Sequence, residues 1–324
     1  MRDVRVGPAA VPALVAGEVL VRVTAVGLCG SDRHWYEHAA IGDTPLTTPV
    51  VLGHEIAGVI AGGTRDGERV AIDPSQPCER CETCRRGRPD VCPATRFAGY
   101  AETDGGLQTW LAWPSALCLA VPDHVSDGEA AVLEALGVAL HAIDLAGVGG
   151  EDRVAVVGAG PIGQLVIRAL RARGVAEVVA SEPLAHRRAA AITAGAVAVW
   201  DPADLAAEGR HGDVSVVVEC AGADGAIDAA IRLVRPGGRI VLVGIPGDDQ
   251  VAFRASGARR KGLTLSYARR MTASDLPAAL AAVASGAIDV RPMISDEFGL
   301  EAVGAAFERL ASGDGNKILV RPAA

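Results

Sequence analysis

Four cysteines lie close together between residues 73 and 92, and their spacing is typical of a closed metal site. They follow the pattern C-x-x-C-x-x-C-x7-C, at Cys78, Cys81, Cys84 and Cys92. Zn²⁺ prefers four soft ligands in a tetrahedron, and gaps of two residues let neighbouring thiolates reach one ion at Zn–S distances of about 2.3 Å. We therefore interpret the tetrad as a structural zinc site. The alternatives are a pair of disulfides and an iron–sulfur cluster.

The composition excludes several other classes of protein. The chain has 324 residues, of which 50% are hydrophobic, and its formal net charge is -8. This length predicts two globular domains. Because no run of Lys and Arg with interleaved aromatic residues occurs, we expect no nucleic-acid partner. The absence of a signal peptide and of a long uncharged apolar stretch predicts a cytoplasmic protein with reduced cysteines and no membrane partner.

The first part of the chain is strand-like, because β-branched residues alternate there between Gly, Pro and Asp turns. Strands are predicted at residues 18–26, 50–52, 56–60 and 69–72. The last part is predicted to form helices at residues 277–285 and 300–311 and a strand at residues 317–320. We expect this tail to return to the β-rich first lobe.

The middle of the chain alternates short apolar runs with Ala-rich helical stretches, the pattern of a parallel sheet. Six strands are predicted, at residues 153–157, 177–181, 196–200, 214–219, 239–243 and 263–266. The helices predicted between them include residues 162–173, 184–194 and 225–234. Six strands with intervening helices indicate an α/β, doubly wound dinucleotide-binding fold.

A glycine-rich turn joins the first of these strands to the first helix. Gly158, Gly160 and Gly163 form the pattern G-x-G-x-x-G. In this context the glycines allow a tight turn, a close approach of backbone to a pyrophosphate and close helix packing. The helix N-terminus, with Pro161 and Ile162, adds partial positive charge. The alternative is a glycine-rich turn that binds no nucleotide.

Further residues are assigned to the same cofactor site. Glu182 follows the second strand, where its carboxylate can accept hydrogen bonds from the adenosine ribose and repel a 2′-phosphate. This position favours NAD over NADP, although Arg187 and Arg188 nearby could soften the discrimination. Val243 and Gly244, at the end of the fifth strand, complete the predicted set.

A second set of zinc-type ligands is dispersed along the chain, at Cys29, His54, Glu55 and Glu134. Spacing alone does not separate a metal site from a buried cysteine, a satisfied histidine and surface acids. Context is supplied by motifs distributed over nearly the whole chain, namely GLCGSDRHWYEH with a downstream IGD, LGHEIAG, the four-cysteine lobe, GERVAIDP, LEALGVALHA, VGAGPIG, VVECAGA and RKGLTLSYARRM.

With these motifs the chain resembles the zinc-dependent medium-chain alcohol dehydrogenases, and within them the sorbitol and polyol dehydrogenase group. The resemblance implies a GroES-like, β-rich catalytic domain at residues 1–125 and an NAD-binding Rossmann domain at residues 126–270. It further implies that residues 271–324 return to the catalytic domain. The family suggests a homotetramer or a homodimer.

The resemblance also implies roles for individual residues. Cys29 and His54 would hold a catalytic zinc, and Glu55 and Glu134 would be a direct ligand, a water-bridged ligand or an exchange partner. With the tetrad, this gives two Zn²⁺ per chain. A zinc ion in such a site acts as a Lewis acid on the substrate alcohol. Ser31 matches the hydroxyl that takes the alcohol proton, and His34 matches the residue that passes it to solvent, unless His34 is only a surface or core histidine.

The substrate is expected to be a polar secondary alcohol. Arg270 stands where polyol dehydrogenases of this type carry an arginine that contacts substrate hydroxyls or the catalytic water. Two positions depart from the family pattern, Met271 in place of the usual Tyr and Ala135 in place of the usual Pro. We expect NAD-dependent oxidation of a polyol or cyclitol to a ketone. The alternatives are a threonine-type or aminocyclitol-type dehydrogenase and a nucleotide-binding scaffold without turnover.

Overall fold

The computed structural model describes residues 3–207 and 213–322. Its contacts divide the chain into two compact units, Met1–Gly137 with Met271–Ala324 and Val138–Arg270. The tail therefore shares its contacts with the first part of the chain. The sequence predicted a domain boundary after residue 125. The contacts place the boundary between the two units after Gly137, inside the helix Asp127–Ala146.

The regular elements are numbered in chain order. The strands are β1 (Glu18–Gly27), β2 (Ala40–Ile41), β3 (Thr44–Pro45), β4 (Glu55–Ala61), β5 (Arg69–Ile72), β6 (Ser75–Gln76), β7 (Arg96–Phe97), β8 (Trp110–Pro114), β9 (Cys118–Ala120), β10 (Arg153–Val157), β11 (Glu177–Ser181), β12 (Ala198–Trp200), β13 (Val214–Glu219), β14 (Val234–Leu242), β15 (Thr264–Tyr267), β16 (Ile294–Gly299) and β17 (Lys317–Arg321). The α-helices are α1 (Gly30–His38), α2 (Glu82–Arg85), α3 (Asp127–Ala146), α4 (Pro161–Ala172), α5 (Ala185–Ala194), α6 (Pro202–Ala207), α7 (Ala226–Leu233), α8 (Ala255–Lys261), α9 (Asp275–Ala284) and α10 (Val303–Ser312).

In the first unit, β1 is the centre of a seven-stranded sheet. It pairs antiparallel with β4, β8 and β17, while β5 and β9 extend the β4 edge and β16 runs parallel to β17. Alternate residues of β1, such as Val21 and Val23, are buried with Ile56, Ile60 and Trp113 in one core cluster. Since β17 lies beside β1, the end of the chain reaches the strand that leads into the predicted ligand Cys29.

The second unit contains a parallel sheet in the order β12-β11-β10-β13-β14-β15. Its strands are rich in Val and Ala, and β13 is buried along its whole length, as expected for a sheet covered on both faces. All six predicted strands are present, and β10, β11 and β13 have the predicted bounds. The predicted α/β fold, a GroES-like domain with a six-stranded Rossmann sheet, is confirmed.

Residues 50–52, predicted as a strand, are not in a strand, and this prediction is wrong. The backbone carbonyls of Val51 and Leu52 accept hydrogen bonds from Gly105 and Leu107 at 2.7 and 3.0 Å, so this segment pairs with an irregular loop. A positive φ of 90° at Gly53 then turns the chain sharply before β4. Within residues 3–207 and 213–322, no helix has the length and apolar character needed to cross a membrane.

The buried carboxyl group of Asp73 gives the first unit a pH-dependent stability. Burial raises the pKa of Asp73 from 3.8 to about 6; the Ser75 N–H opposes the shift and Asp275 adds to it. Because the folded pKa is raised, the contribution of Asp73 to stability is complete below pH 3.8 and is lost as the pH rises through about 6. The difference between the two pKa values corresponds to about 3 kcal/mol.

We therefore expect the variant Asp73→Asn to gain stability relative to the native chain as the pH rises. Urea unfolding at pH values of about 4.5 and about 7.5 measures this gain, which should approach the full effect at the higher pH. Asp204→Asn is a matched control, because Asp204 is exposed. An advantage of Asp73→Asn that is the same at both pH values would contradict the prediction.

Candidate metal centres and cofactor site

The four tetrad cysteines come together at one point of the first unit. One sulfur from each of Cys78, Cys81, Cys84 and Cys92 lies within 4.8 Å of the others. Sulfur atoms on a tetrahedron with Zn–S bonds of about 2.3 Å are about 3.8 Å apart. The Sγ atom of Cys81 lies 3.4 Å from that of Cys84 and 3.8 Å from that of Cys92. The tetrad therefore fits one zinc ion with no further donor.

Local structure explains this convergence. Cys81 precedes the short helix α2, which contains Cys84, and Cys92 ends a 3-10 turn at Pro89–Val91. The backbone N–H of Cys78 donates to the Cys92 sulfur at 3.4 Å. All seven cysteines of the chain fall within the described residues, and all of them are free thiols, so the structure contains no disulfide.

A second donor cluster lies at the start of α1. One atom from each of the side chains of Cys29, His54 and Glu55 lies within 4.8 Å of the others. Cys29 caps the N-terminus of α1, and Gly53 turns the chain so that His54 and Glu55 follow directly. The Glu55 carboxylate has room only because residue 27 is glycine: a Cβ on Gly27 would lie 2.0 Å from Oε2 of Glu55. One thiol, one imidazole and one carboxylate fit zinc with a fourth position left for another ligand.

Asp32 supports this cluster and was not predicted. It is fully buried, accepts hydrogen bonds from the Cys29 N–H at 2.9 Å and the Gly53 N–H at 3.3 Å, and lies 3.8 Å from His54 Nδ1. A carboxylate behind a metal-binding histidine fixes the orientation of the ring. Burial alone would lower the pKa of His54, but Asp32 and Cys29 raise it well above 6.5. The sequence signal was an acid three residues after a helix-capping position.

Lys317 is a second supporting residue that sequence reasoning missed. Its ammonium lies 2.6 and 2.7 Å from the two carboxylate oxygens of Glu55 and 3.2 Å from the carbonyl of Leu28. Both side chains of the ion pair are at most 1% exposed. Burial would lower the pKa of Lys317, but Glu55, Cys29 and Glu134 together outweigh it and the pKa is raised. Lys317 thereby fixes the position of the Glu55 carboxylate beside Cys29 and His54.

Glu134 lies on α3, outside the three-residue cluster but close enough for the charges of His54 and Glu55 to affect its pKa. Burial raises its pKa to about 7, an effect that His54 opposes and Glu55 reinforces. The structure therefore groups Glu55 with Cys29 and His54 and leaves Glu134 as a neighbour. Beside it, Ala135 is buried in the helix.

The other predicted catalytic residues are divided between the two units. Ser31 and His34 both lie on α1, three residues apart and so on one face of that helix. Arg270 is the last residue of the second unit and has a positive φ of 59°. The following Met271 is 3% exposed, and its sulfur is 2.4 Å from where a Cβ on Gly137 would lie. Met271 is thus a packing residue against α3.

The glycine-rich turn of the second unit has the geometry of a phosphate cradle. Gly158 has a φ of 89°, and a Cβ there would lie 2.8 Å from Ala221. A Cβ on Gly163 would lie 2.0 Å from the carbonyl oxygen of Gly158, so helix and strand approach as closely as glycine permits. Gly160 caps α4, and Pro161 and Ile162 are its first two residues. This turn fits a dinucleotide pyrophosphate at the helix N-terminus.

The predicted ribose-binding carboxylate is fixed by the backbone. Glu182 is 3% exposed, and its two oxygens accept hydrogen bonds from the N–H groups of Ala159, at 2.8 Å, and Leu184, at 3.0 Å. Arg187 reaches within 3.6 Å of where a Cβ on Gly160 would lie. Arg188 is held by Asp201 at 3.0 Å.

The ends of the next strands also meet at this edge of the sheet. The N–H groups of Val243 and Gly244 donate to the carbonyl of Glu219 at 2.8 and 3.1 Å. The Glu219 carboxylate accepts from the N–H groups of Ala221 and Gly222 at 2.7 and 2.8 Å. Val243 and Gly244 therefore lie at the carboxyl ends of the parallel strands, where open α/β sheets bind their ligands.

Comparison with known proteins agrees with both parts of the architecture. Residues 15–123 match the alcohol dehydrogenase GroES-like domain family, and residues 161–285 match the zinc-binding dehydrogenase family. The chain therefore belongs to the zinc-dependent medium-chain dehydrogenases, in their polyol-dehydrogenase-like group, and is an oxidoreductase.

Individual relatives support the same family. Human sorbitol dehydrogenase is 34% identical over 333 residues, covering 98% of this chain and 93% of the relative. D-xylulose reductase A of Aspergillus oryzae is 34% identical over 323 residues, with 94% and 89% covered. The structure of Escherichia coli L-idonate 5-dehydrogenase is similar with a TM-score of 0.87 and 28% identity, covering 94% of this chain and 91% of that one.

Proposed function

We propose that this protein is an NAD-dependent, two-zinc dehydrogenase that oxidises a secondary alcohol of a polyol or cyclitol to a ketone. The observation that carries the proposal is the open cluster of Cys29, His54 and Glu55, which offers three zinc donors of the right types. Relatives that act on sorbitol, xylulose and idonate support a polyol substrate. The reaction releases one proton and transfers one hydride from the substrate carbon to NAD.

Each residue of the first unit has a distinct task in this proposal. Zinc bound by Cys29 and His54 would supply a Lewis acid that lowers the pKa of the substrate hydroxyl. Asp32 holds the His54 ring and the start of α1, and Lys317 holds the carboxylate of Glu55, the third donor of the cluster. Ser31 accepts the alcohol proton, and His34, one turn further along α1, passes it to solvent.

The second unit would bind the cofactor. The pyrophosphate would lie on the N-terminus of α4, with Gly160 allowing its close approach. Glu182 supports a preference for NAD, because a buried, doubly hydrogen-bonded carboxylate is a fixed negative charge where NADP carries its 2′-phosphate. Arg270 would contact hydroxyl groups of the substrate.

The tetrad would hold the second zinc, whose role is structural. We further propose that the protein acts in the cytoplasm as a homodimer or homotetramer. Reduced thiols are what a tetrad of zinc ligands requires, and the reducing cytoplasm maintains them.

The proposal is tested by following NADH formation over a panel of polyols, cyclitols, threonine and simple alcohols, with NADP in parallel and with chelator-treated protein as the control. We expect the highest kcat/KM with a polyol or cyclitol and NAD, and loss of the rate with the chelator. The highest kcat/KM with threonine would favour the threonine-type alternative. Turnover with none of the alcohols would contradict the proposed reaction and favour a nucleotide-binding scaffold.

A further inference from the structure

The tetrad lobe, defined as residues 77–95, has almost no apolar core of its own. Among these residues only Asp90 and Cys92 are buried, and Asp90 pairs with Arg88 at 2.7 Å. A segment that buries so little apolar surface depends on its metal for order. The lobe is connected to the rest of the unit at both ends through the two-stranded ribbon of β6 and β7.

The stretch of chain that follows this lobe packs against the segment that carries His54. Phe97, the last residue of β7, places its ring 5.4 Å from the His54 imidazole, between ring centroids. Phe97 follows Cys92 by five residues. The aromatic ring beside His54 therefore belongs to the stretch of chain that leaves the closed site.

Hydrogen bonds fix residues 104–107 against the same segment. The N–H groups of Gly105, Gly106 and Leu107 donate to the three consecutive carbonyls that precede His54, at 2.7, 2.7 and 3.0 Å. The Asp104 carboxylate accepts from the Val51 N–H at 2.9 Å. Four hydrogen bonds thus determine the path of the chain that presents His54 and Glu55.

Three glycines make this approach possible. A Cβ on Gly105 would lie 2.1 Å from the carbonyl oxygen of Gly53, and a Cβ on Gly99 would lie 2.9 Å from the Gly53 nitrogen. Gly99 and Gly53 also have positive φ angles of 72° and 90°. Because the obstructing atoms are backbone, a side chain at Gly105 would push the loop and the His54 segment apart.

We propose that residues 97–107 couple the two metal sites, so that metal in the tetrad increases the affinity of the open site for its metal. This inference rests on the proposed metal sites. An ordered tetrad fixes the start of this segment, and Phe97 and Gly105 act as positioning residues for His54. Because coupling between two binding sites is reciprocal, metal at the open site increases the affinity of the tetrad by the same factor.

The coupling is tested by measuring Co²⁺ binding to the open site by chelator competition and by its visible absorption spectrum. The full-length chain is compared with Cys84→Ser, Phe97→Leu and Gly105→Ala. We expect each change to weaken Co²⁺ binding at the open site by about tenfold or more, the size of effect seen when the supports of a metal ligand are changed. The spectrum of Phe97→Leu should change, whereas Phe97→Tyr, which retains the ring, should restore both affinity and spectrum.

Gly304→Ala is the matched control, because a Cβ there meets nothing within 4 Å. It should bind Co²⁺ as the native chain does. If Cys84→Ser fails to fold, Phe97→Leu and Gly105→Ala decide the result. Native affinity and spectrum at the open site in both of these variants would overturn the coupling and leave the proposed function intact. Absence of Co²⁺ from the open site of the native chain would overturn both.

Discussion

Replacing Cys29 by serine is expected to abolish alcohol-dependent NADH formation while the protein stays folded. Cys29 is one of three donors in the open cluster, and a serine hydroxyl is a poor zinc ligand at neutral pH. Losing a direct ligand should reduce activity by more than the ~10–100-fold that outer-shell changes cause. Steady-state kinetics with the best alcohol measure the loss, and thermal unfolding measures the fold.

The matched variant is Cys84→Ser in the closed tetrad. Its main effect should be a lower thermal unfolding temperature and loss of one zinc per chain, since a structural site contributes to folding directly. Through the coupling proposed above, it should also reduce the occupancy of the open site, and excess zinc should restore part of the activity. Equal loss of folding in Cys29→Ser and Cys84→Ser would contradict the division between a catalytic and a structural metal.

Replacing Lys317 by methionine is expected to destabilise the first unit by about 3–5 kcal/mol, because it leaves the Glu55 carboxylate buried without a counter-charge. The two side chains are at most 1% exposed, and the ammonium donates to both carboxylate oxygens. Urea unfolding at neutral pH, with chelator present so that no cation replaces the ammonium, measures the change.

The matched control for Lys317→Met is the double variant Lys317→Met/Glu55→Leu. It removes both charges, so it should recover most of the lost stability, because replacing a buried ion pair by apolar residues is often neutral. Arg321 lies on the same strand as Lys317 and forms a more exposed ion pair with Glu297 of β16. Arg321→Met breaks this pair and should cost only about 0–1 kcal/mol. If Lys317→Met were no more destabilising than Arg321→Met, the buried pair would not have the role assigned to it.

The sequence was most informative where local pattern and burial coincide. Strands β10 and β13 are buried on both faces and are therefore rich in Val, with the sequences RVAVV and VSVVVE. The turn at Gly158 could also be predicted, because a strand and a helix flank it. The tetrad could be predicted because its four ligands come from one short segment.

Features that depend on distant contacts were missed. Lys317 is 262 residues from Glu55, and the local sequence around either residue does not indicate that they form an ion pair. Asp32 looks like an ordinary acid in the first turn of a helix until Gly53 and His54 are placed beside it. Residues 50–52 have the composition of a strand, but their hydrogen-bond partners are in the glycine-rich loop around Gly105.

The central claim is that a metal held by Cys29, His54 and Glu55 carries the reaction. It is tested most directly by removing metal from the open site with a chelator, returning zinc in steps, and measuring bound zinc and the rate of NADH formation together. We predict that the rate is absent while only the tetrad holds zinc and rises in proportion to occupancy of the open site. A full rate with the open site empty would contradict the claim.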